Sequence, residues 1–153
     1  MPPTVGDVLF VDTNVLLTAT DERRSQHREA RRLFTRAVAR GWHLASTGQI
    51  LREYLVVATR PAEVSGLGLG VSQAIRNVNS FLRHLHLYAE NEAVAARLRR
   101  LTVLHGVRGA RLHDANIAAT MLVHGVNFLV TQNESDFAPF EGIETLPVSV
   151  NRE

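Results

Sequence analysis

Residues 8–14 read VLFVDTN. Val8-Leu9-Phe10-Val11 is a continuous apolar run with β-branched content, and it stops abruptly at Asp12. A strand that is apolar throughout, rather than alternating, belongs in a parallel sheet covered on both faces. Asp12, Thr13 and Asn14 then offer capping side chains ahead of Val15-Leu16-Leu17, which predicts a helix start. Strand, acid and helix in immediate succession open an α/β unit. Asp12 stands at the carboxyl end of its strand, beyond which such sheets bind ligands.

The alternation continues along the chain. From His27 to Arg40, apolar residues at Ala30, Leu33, Phe34, Ala37 and Val38 have helical spacing, and Gly41 supplies the stop. Trp42 to Ala45 reads as a second strand. Ser46 or Thr47 caps a helix to about Thr59, ended by Arg60-Pro61. Pro61 to Gly70 is a flexible connection within one domain. Ser72 to His84 is a further helix, and Leu85 to Ala89 a weak strand. Asn91 caps a helix whose expected buried face carries Val94, Ala95, Leu98, Leu101 and Leu104. Arg111-Leu112-His113-Asp114 opens another helix ending near Gly125. Asn127 to Thr131 is the next strand and Leu146 to Val150 the expected last one. The prediction is a single α/β domain over residues 1–153, with a mostly parallel central sheet flanked by helices.

Composition narrows the function classes. At 153 residues with 45% apolar content, the chain can bury a substantial core. No apolar run approaches a membrane span, and Met1 to Asp7 lacks the basic start and apolar stretch of a secretory signal. A cytoplasmic protein with no membrane partner is expected. Cysteine is absent, which excludes a disulfide framework, a thiolate zinc site and a cysteine nucleophile. All 17 basic residues are arginine, so the pI of about 9.9 overstates a net charge of only +2. Arg23, Arg24, Arg28, Arg31, Arg32, Arg36 and Arg40 nevertheless crowd one segment, interspersed with Glu22 and Glu29. Such a run can follow phosphates, although a solvated helix face is its more frequent meaning.

Two tempting signals carry nothing. Gly66-Leu67-Gly68-Leu69-Gly70 follows Arg60-Pro61 rather than a strand, and Val71 stands where a dinucleotide fingerprint needs its third glycine. The seven histidines are scattered and form no His-x-x-x-His pair.

The carboxylates are more informative. Asp12 ends the first strand, Asp114 sits in the first turn of its helix, and the exit of the Phe128 to Thr131 strand delivers Gln132, Asn133, Glu134 and Asp136 to the same edge. Glu53 lies mid-helix among Ile50, Leu51, Tyr54, Leu55 and Val56, where a carboxylate needs a partner such as Arg52 or Arg60. Each acid taken alone reads as a cap or a paired surface charge. Together they suit a hard divalent ion, which takes oxygen ligands, lowers the pKa of a bound water and offsets charge on a phosphate.

At this point the sequence resembles the PIN-domain ribonucleases, most closely the VapC-type toxins of bacterial toxin–antitoxin pairs. The likeness rests on residues 8–14, on Gln49 to Tyr54 with Glu53, on Leu112-His113-Asp114-Ala115-Asn116-Ile117-Ala118-Ala119, and on Leu129 to Phe137. It implies that Asp12, Glu53 and Asp114 are shared acidic positions binding Mg2+ or Mn2+. It also implies metal-dependent hydrolysis of RNA that leaves a 5′-phosphate. Asn133 stands where many relatives have aspartate, so Asp136 is taken as the fourth carboxylate and Asn133 as a neutral ligand or water-holder, with Asn14 and Thr131 in support. The resemblance further implies a homodimer, a cognate antitoxin, and operator DNA met only through the antitoxin complex. Arg28, Arg32, Arg108 and Arg111 are the expected RNA contacts. A phosphotransfer domain using Asp12 as nucleophile fits poorly, since Asn14 replaces the second aspartate and no lysine exists. The remaining alternatives are a catalytically inactive PIN-like module that binds RNA or protein, and an α/β domain whose acids are unrelated.

Overall fold

The computed structural model of the chain describes residues 1–150. Strand β1 (Val8–Val11) leads into α1 (Thr13–Thr20), and α2 (His27–Arg40) returns the chain to β2 (His43–Thr47). Then come α3 (Gly48–Thr59), α4 (Val71–Leu82), β3 (Leu85–Tyr88), α5 (Glu92–His105), α6 (Arg111–Val123), β4 (Phe128–Val130), α7 (Glu134–Phe137) and β5 (Glu144–Leu146). The strands form one sheet in the order β3-β2-β1-β4-β5, and every pairing is parallel.

This order places β1 at the centre, which accounts for its uninterrupted apolar sequence: Leu9, Phe10 and Val11 are fully buried. The chain builds β2 and β3 on one side of β1, then crosses to lay β4 and β5 on the other. The strand order therefore reverses at β1, and the ends of β1 and β4 flank the crevice that open α/β sheets form at such a reversal.

Local sequence explains most of the boundaries. Gly41 takes a left-handed φ of 70° after α2, a conformation a side chain would oppose. Thr47 both ends β2 and caps α3, its hydroxyl accepting the Ile50 N–H at 3.2 Å. Asn91 caps α5 through Val94 N–H at 3.1 Å. The glycine-rich 66–70 segment cradles no phosphate. Its N–H groups, from Gly66, Leu67, Gly68 and Leu69, donate to the carbonyls of Pro61, Val57, Arg60 and Ala58, satisfying the end of α3. A Cβ on Gly66 would lie 1.9 Å from the Arg60 carbonyl oxygen, so this turn admits only glycine.

Several expectations are corrected. The last strand is Glu144–Leu146, not Leu146 to Val150. Pro147 lacks an N–H, and Val150 N–H closes a turn on the Pro147 carbonyl, so Val148 and Val150 are buried by a turn and not by a ladder. On α5, Val94 and Leu101 are buried, but Ala95 is exposed and Leu104 is 74% exposed. That helix packs on α6 along a narrow stripe that does not take in Ala95 or Leu104. The short α7 was not foreseen, since four residues carry no periodicity.

Phe137, 1% exposed, is the anchor of α7. A single helical turn cannot hold itself in water, so its placement depends on this burial. Phe137→Ala is expected to cost about 3–5 kcal/mol of stability in urea unfolding. An unchanged midpoint would show that other contacts hold α7.

Candidate active site

Asp12 is 6% exposed and sits at the β1–β4 crevice. Its Oδ1 accepts the Thr13 N–H at 2.7 Å, capping α1. Its Oδ2 accepts the Thr131 hydroxyl at 2.7 Å and the Asn14 amide at 3.3 Å. Capping and site formation are thus the work of one carboxylate. The backbone fixes the geometry, with Asp12 N–H donating to the Val130 carbonyl at 3.0 Å and Thr131 N–H to the Leu146 carbonyl at 3.1 Å. Asn14 ties the β4 exit further. Its Nδ2 lies 3.3 Å from the Thr131 hydroxyl, and its Oδ1 accepts the Gln132 N–H at 3.2 Å.

Glu53 is reached from α3. Its partners are not Arg52 or Arg60 but the Thr13 hydroxyl, at 2.9 Å from Oε2, and the Gln49 amide, at 2.9 Å from Oε1. His113 Nδ1 lies 3.7 Å from the same Oε1. Gln49, one helical turn before Glu53, is buried and also donates to the His113 carbonyl at 2.9 Å. Its own Oε1 accepts Asn116 Nδ2 at 2.6 Å. Glu53 on α3 is thereby referenced to α6, which carries Asp114 in its first turn.

Asp136 comes from α7. Its backbone carbonyl accepts Arg111 Nη2 at 3.1 Å, and its N–H donates to the Asn133 carbonyl at 3.1 Å. Asn133 contributes its own N–H to the Thr131 hydroxyl at 3.0 Å.

The four acids share one electrostatic field. Burial pushes the Asp12 carboxyl up from its ordinary value, hydrogen bonds from Thr131 and Thr13 oppose this, and the charges of Glu53 and Asp136 add to the rise. Burial likewise lifts Asp114 to about 6, with repulsion from Asp136, Asp12 and Glu53, while Arg111 pulls the other way. Asp136 acts on both, so its charge lies near theirs.

The arginine run divides. Arg23 and Arg24 pair with Asp21 at 3.0 and 3.7 Å, and Arg32 and Arg36 pair with Glu29 at 3.5 and 2.9 Å. Arg28 is exposed and has no ion pair among the described residues. Arg108 is exposed in the α5–α6 connection, and Arg111 borders Asp114 and Asp136. The sequence does not single out Thr13, Gln49, Asn116 or Gln132 as site residues, although it brings Gln132 to this edge and sets Gln49 one helical turn from Glu53.

The donor set suits a hard cation. A carboxylate offers about four acceptor positions, and the three donors on Asp12 leave one open. Among the described residues, no three Asp, Glu or His side chains stand close enough to enclose an ion. Any ion held here would therefore take one or two carboxylates directly and complete its shell with waters. Without a cation the cluster carries uncompensated repulsion. Folded Asp114 holds its proton more tightly than the unfolded chain, where the value is 3.8, so this group's contribution to stability is lost as pH rises through about 6. In chelator, Asp114→Asn is expected to raise the melting temperature by a few degrees at neutral pH and by less near pH 4. Equal shifts at both pH values would show that the charged carboxylate, disfavoured first by burial and then by its neighbours' charge, is not the cause.

Three comparisons place these features among known proteins. The model of the PIN domain family matches residues 9–141. No curated protein matches the chain by sequence. Among solved structures, VapBC2 from Rickettsia felis bound to a promoter DNA fragment is similar with a TM-score of 0.68 and 16% identity, over 92% of this chain and 98% of that one. DNA-bound VapBC from Salmonella typhimurium gives 0.67 and 19%, over 93% and 98%. The sarcin-ricin loop cleaving toxin VapC20 from Mycobacterium tuberculosis gives 0.65 and 17%, over 88% and 98%. The fold is theirs, and with the family model covering all five strands but the last, β5, the chain belongs to the PIN domain family.

Proposed function

We propose that the protein is a metal-dependent endoribonuclease, the toxin of a type II toxin–antitoxin pair. The observation that carries this reading is the convergence of Asp12, Glu53, Asp114 and Asp136 on one electrostatic field at the sheet's switch point. The similar VapBC structures and the RNA-cleaving VapC20 support the substrate and the pairing.

A bound Mg2+ or Mn2+ supplies Lewis acidity, lowering the pKa of a water and offsetting charge on the scissile phosphate. Asp12, Asp114, Asp136 and Glu53 are the carboxylates that would hold it, one or two of them directly and the others through its waters. In the reaction, water adds to phosphorus, the bond to the 3′ oxygen breaks, and the products carry a 3′-hydroxyl and a 5′-phosphate. The rest of the chain keeps the acids in place. Thr131 and Asn14 fix Asp12 Oδ2, Thr13 and Gln49 fix both oxygens of Glu53, and Asn133 supports Thr131 through its backbone. Arg111 beside Asp114 and the exposed Arg28, Arg32 and Arg108 are the cations for the RNA backbone. A cognate antitoxin covering the acidic groove, operator DNA engaged through that complex, and a homodimer complete the reading.

The test is incubation of antitoxin-free protein with structured RNAs in magnesium, manganese or chelator. Cleavage should require the metal, and Asp12→Asn should slow it by at least ~100-fold, the equivalent of about 3 kcal/mol of barrier. RNA binding without cleavage in any metal would favour the inactive PIN-like module. Arg28→Glu with Arg32→Glu should weaken RNA binding and lower the salt slope by about one unit for each lost phosphate contact. Unchanged affinity at low salt would remove α2 from the RNA path.

A further inference from the structure

At the opposite end of the sheet from the acids lies a cavity of about 410 Å³ that the ribonuclease reading does not use. The starts of β2 and β3 build it. Parallel register sets Leu44 beside Leu85 and Ala45 beside His86, which brings His43, Arg83, His84 and His86 to one wall. Phe34, Trp42 and the end of α2 form the other wall. Among the described residues, no carboxylate lines this cavity. His84 packs on Phe34 at 5.7 Å, and His86 meets the edge of Tyr88 at 4.8 Å, so both rings are braced while remaining exposed.

From this arrangement we infer that the cavity is a second RNA subsite, binding a backbone phosphate of the same strand away from the point of cleavage. Arg83 is a permanent cation, and imidazole N–H groups donate hydrogen bonds whether or not the ring is charged. The histidine faces are surfaces on which an unpaired base can stack. Three histidines also raise the question of a metal, but no group of three metal-ligating side chains with suitable geometry exists among the described residues.

Helix α2 runs between the two ends. Gln26, just before α2, accepts a hydrogen bond from Gln132 at 3.0 Å, which fixes that end of the helix beside the acid edge. The other end supplies Ala37 and Val38 to the cavity. The helix has 14 residues and so spans about 21 Å. Between them runs a groove containing Arg31, which shares Phe34 and His84 with the cavity. A strand leaving the acids along Arg28 and Arg31 arrives at His84.

This inference rests on the proposed RNA substrate but is tested by binding rather than by cleavage. The protein used is the full chain carrying Asp12→Asn, titrated with single-stranded RNA of about 12 nucleotides, a length within the range of nucleic-acid channels. The ring signals of His43, His84 and His86 should shift together in NMR spectra, at one common affinity. Arg83→Ala with His84→Ala should weaken binding of that RNA about 5- to 10-fold and lower its salt slope by about one. Binding of a dinucleotide should be unaffected. Inorganic phosphate alone should shift the same rings weakly, which separates the phosphate contact from the stacked bases. Silent rings, or unaltered RNA affinity in the double variant, would overturn the subsite even if the native protein cleaves RNA. Ring shifts with RNA in a protein that never cleaves would overturn the nuclease and keep the subsite. Shifts caused by a poly-glutamate peptide and not by RNA would overturn it in favour of an acidic peptide site.

Discussion

The hydrogen bond between the Thr131 hydroxyl and Asp12 Oδ2, 2.7 Å long and buried, joins the ends of two strands that approach from opposite directions of the sheet's winding. Everything at the site is arranged relative to it. Burying a carboxylate is costly, and the cost is contained here because its oxygens meet a hydroxyl, an amide and a backbone N–H. What those neutral donors leave unrelieved is the repulsion from the neighbouring acids. The fold therefore holds a concentration of negative charge that the nearby Arg111 offsets only in part.

The support around the acids is mostly uncharged. Thr13, Gln49, Asn116, Asn14 and Thr131 orient carboxylates without cancelling their charge, whereas arginines there would have turned the cluster into ordinary ion pairs. Arg111 shows the compromise, since its guanidinium donates to the Asp136 backbone carbonyl. It stabilises the turn that presents Asp136 while only partly offsetting the field at Asp114. The four-residue α7 is placed by Phe137 beneath and Arg111 above, not by its own helical propensity.

Much of this was legible in the sequence. The apolar Val8–Val11 run announced a strand buried on both faces, and the caps at Asp12, Thr47 and Asn91 marked helix starts to within a residue. The positions of Asp12 and Asp136 at one edge followed from strand ends in a parallel sheet. Other features had no local signature. Val148 and Val150 look like alternating strand residues because a buried turn also hides every second side chain. Leu104 looks buried by helical spacing, but periodicity cannot say where a neighbouring helix ends. The partners of Glu53 come from residues 40 positions earlier on α1 and one turn earlier on its own helix, and only the three-dimensional structure brings Thr13 to it. Nor does the chain advertise the histidine cavity, since His43 and His84 are brought together by strand pairing alone.

The central position of β1 has a consequence for how the molecule comes into being. Its two neighbours are made at very different times: β2 follows after two helices, while β4 comes only after β2, β3 and the helices between them. Asp12 and Thr131 are 119 residues apart, so their meeting closes a long loop, the kind of contact that costs entropy before it repays any. Without β4, Asp12 has no partner strand on that side, and Asp136 follows Thr131 on the same late segment. The order of strands in the sheet therefore leaves the acidic edge incomplete until β4 and α7 have joined β1.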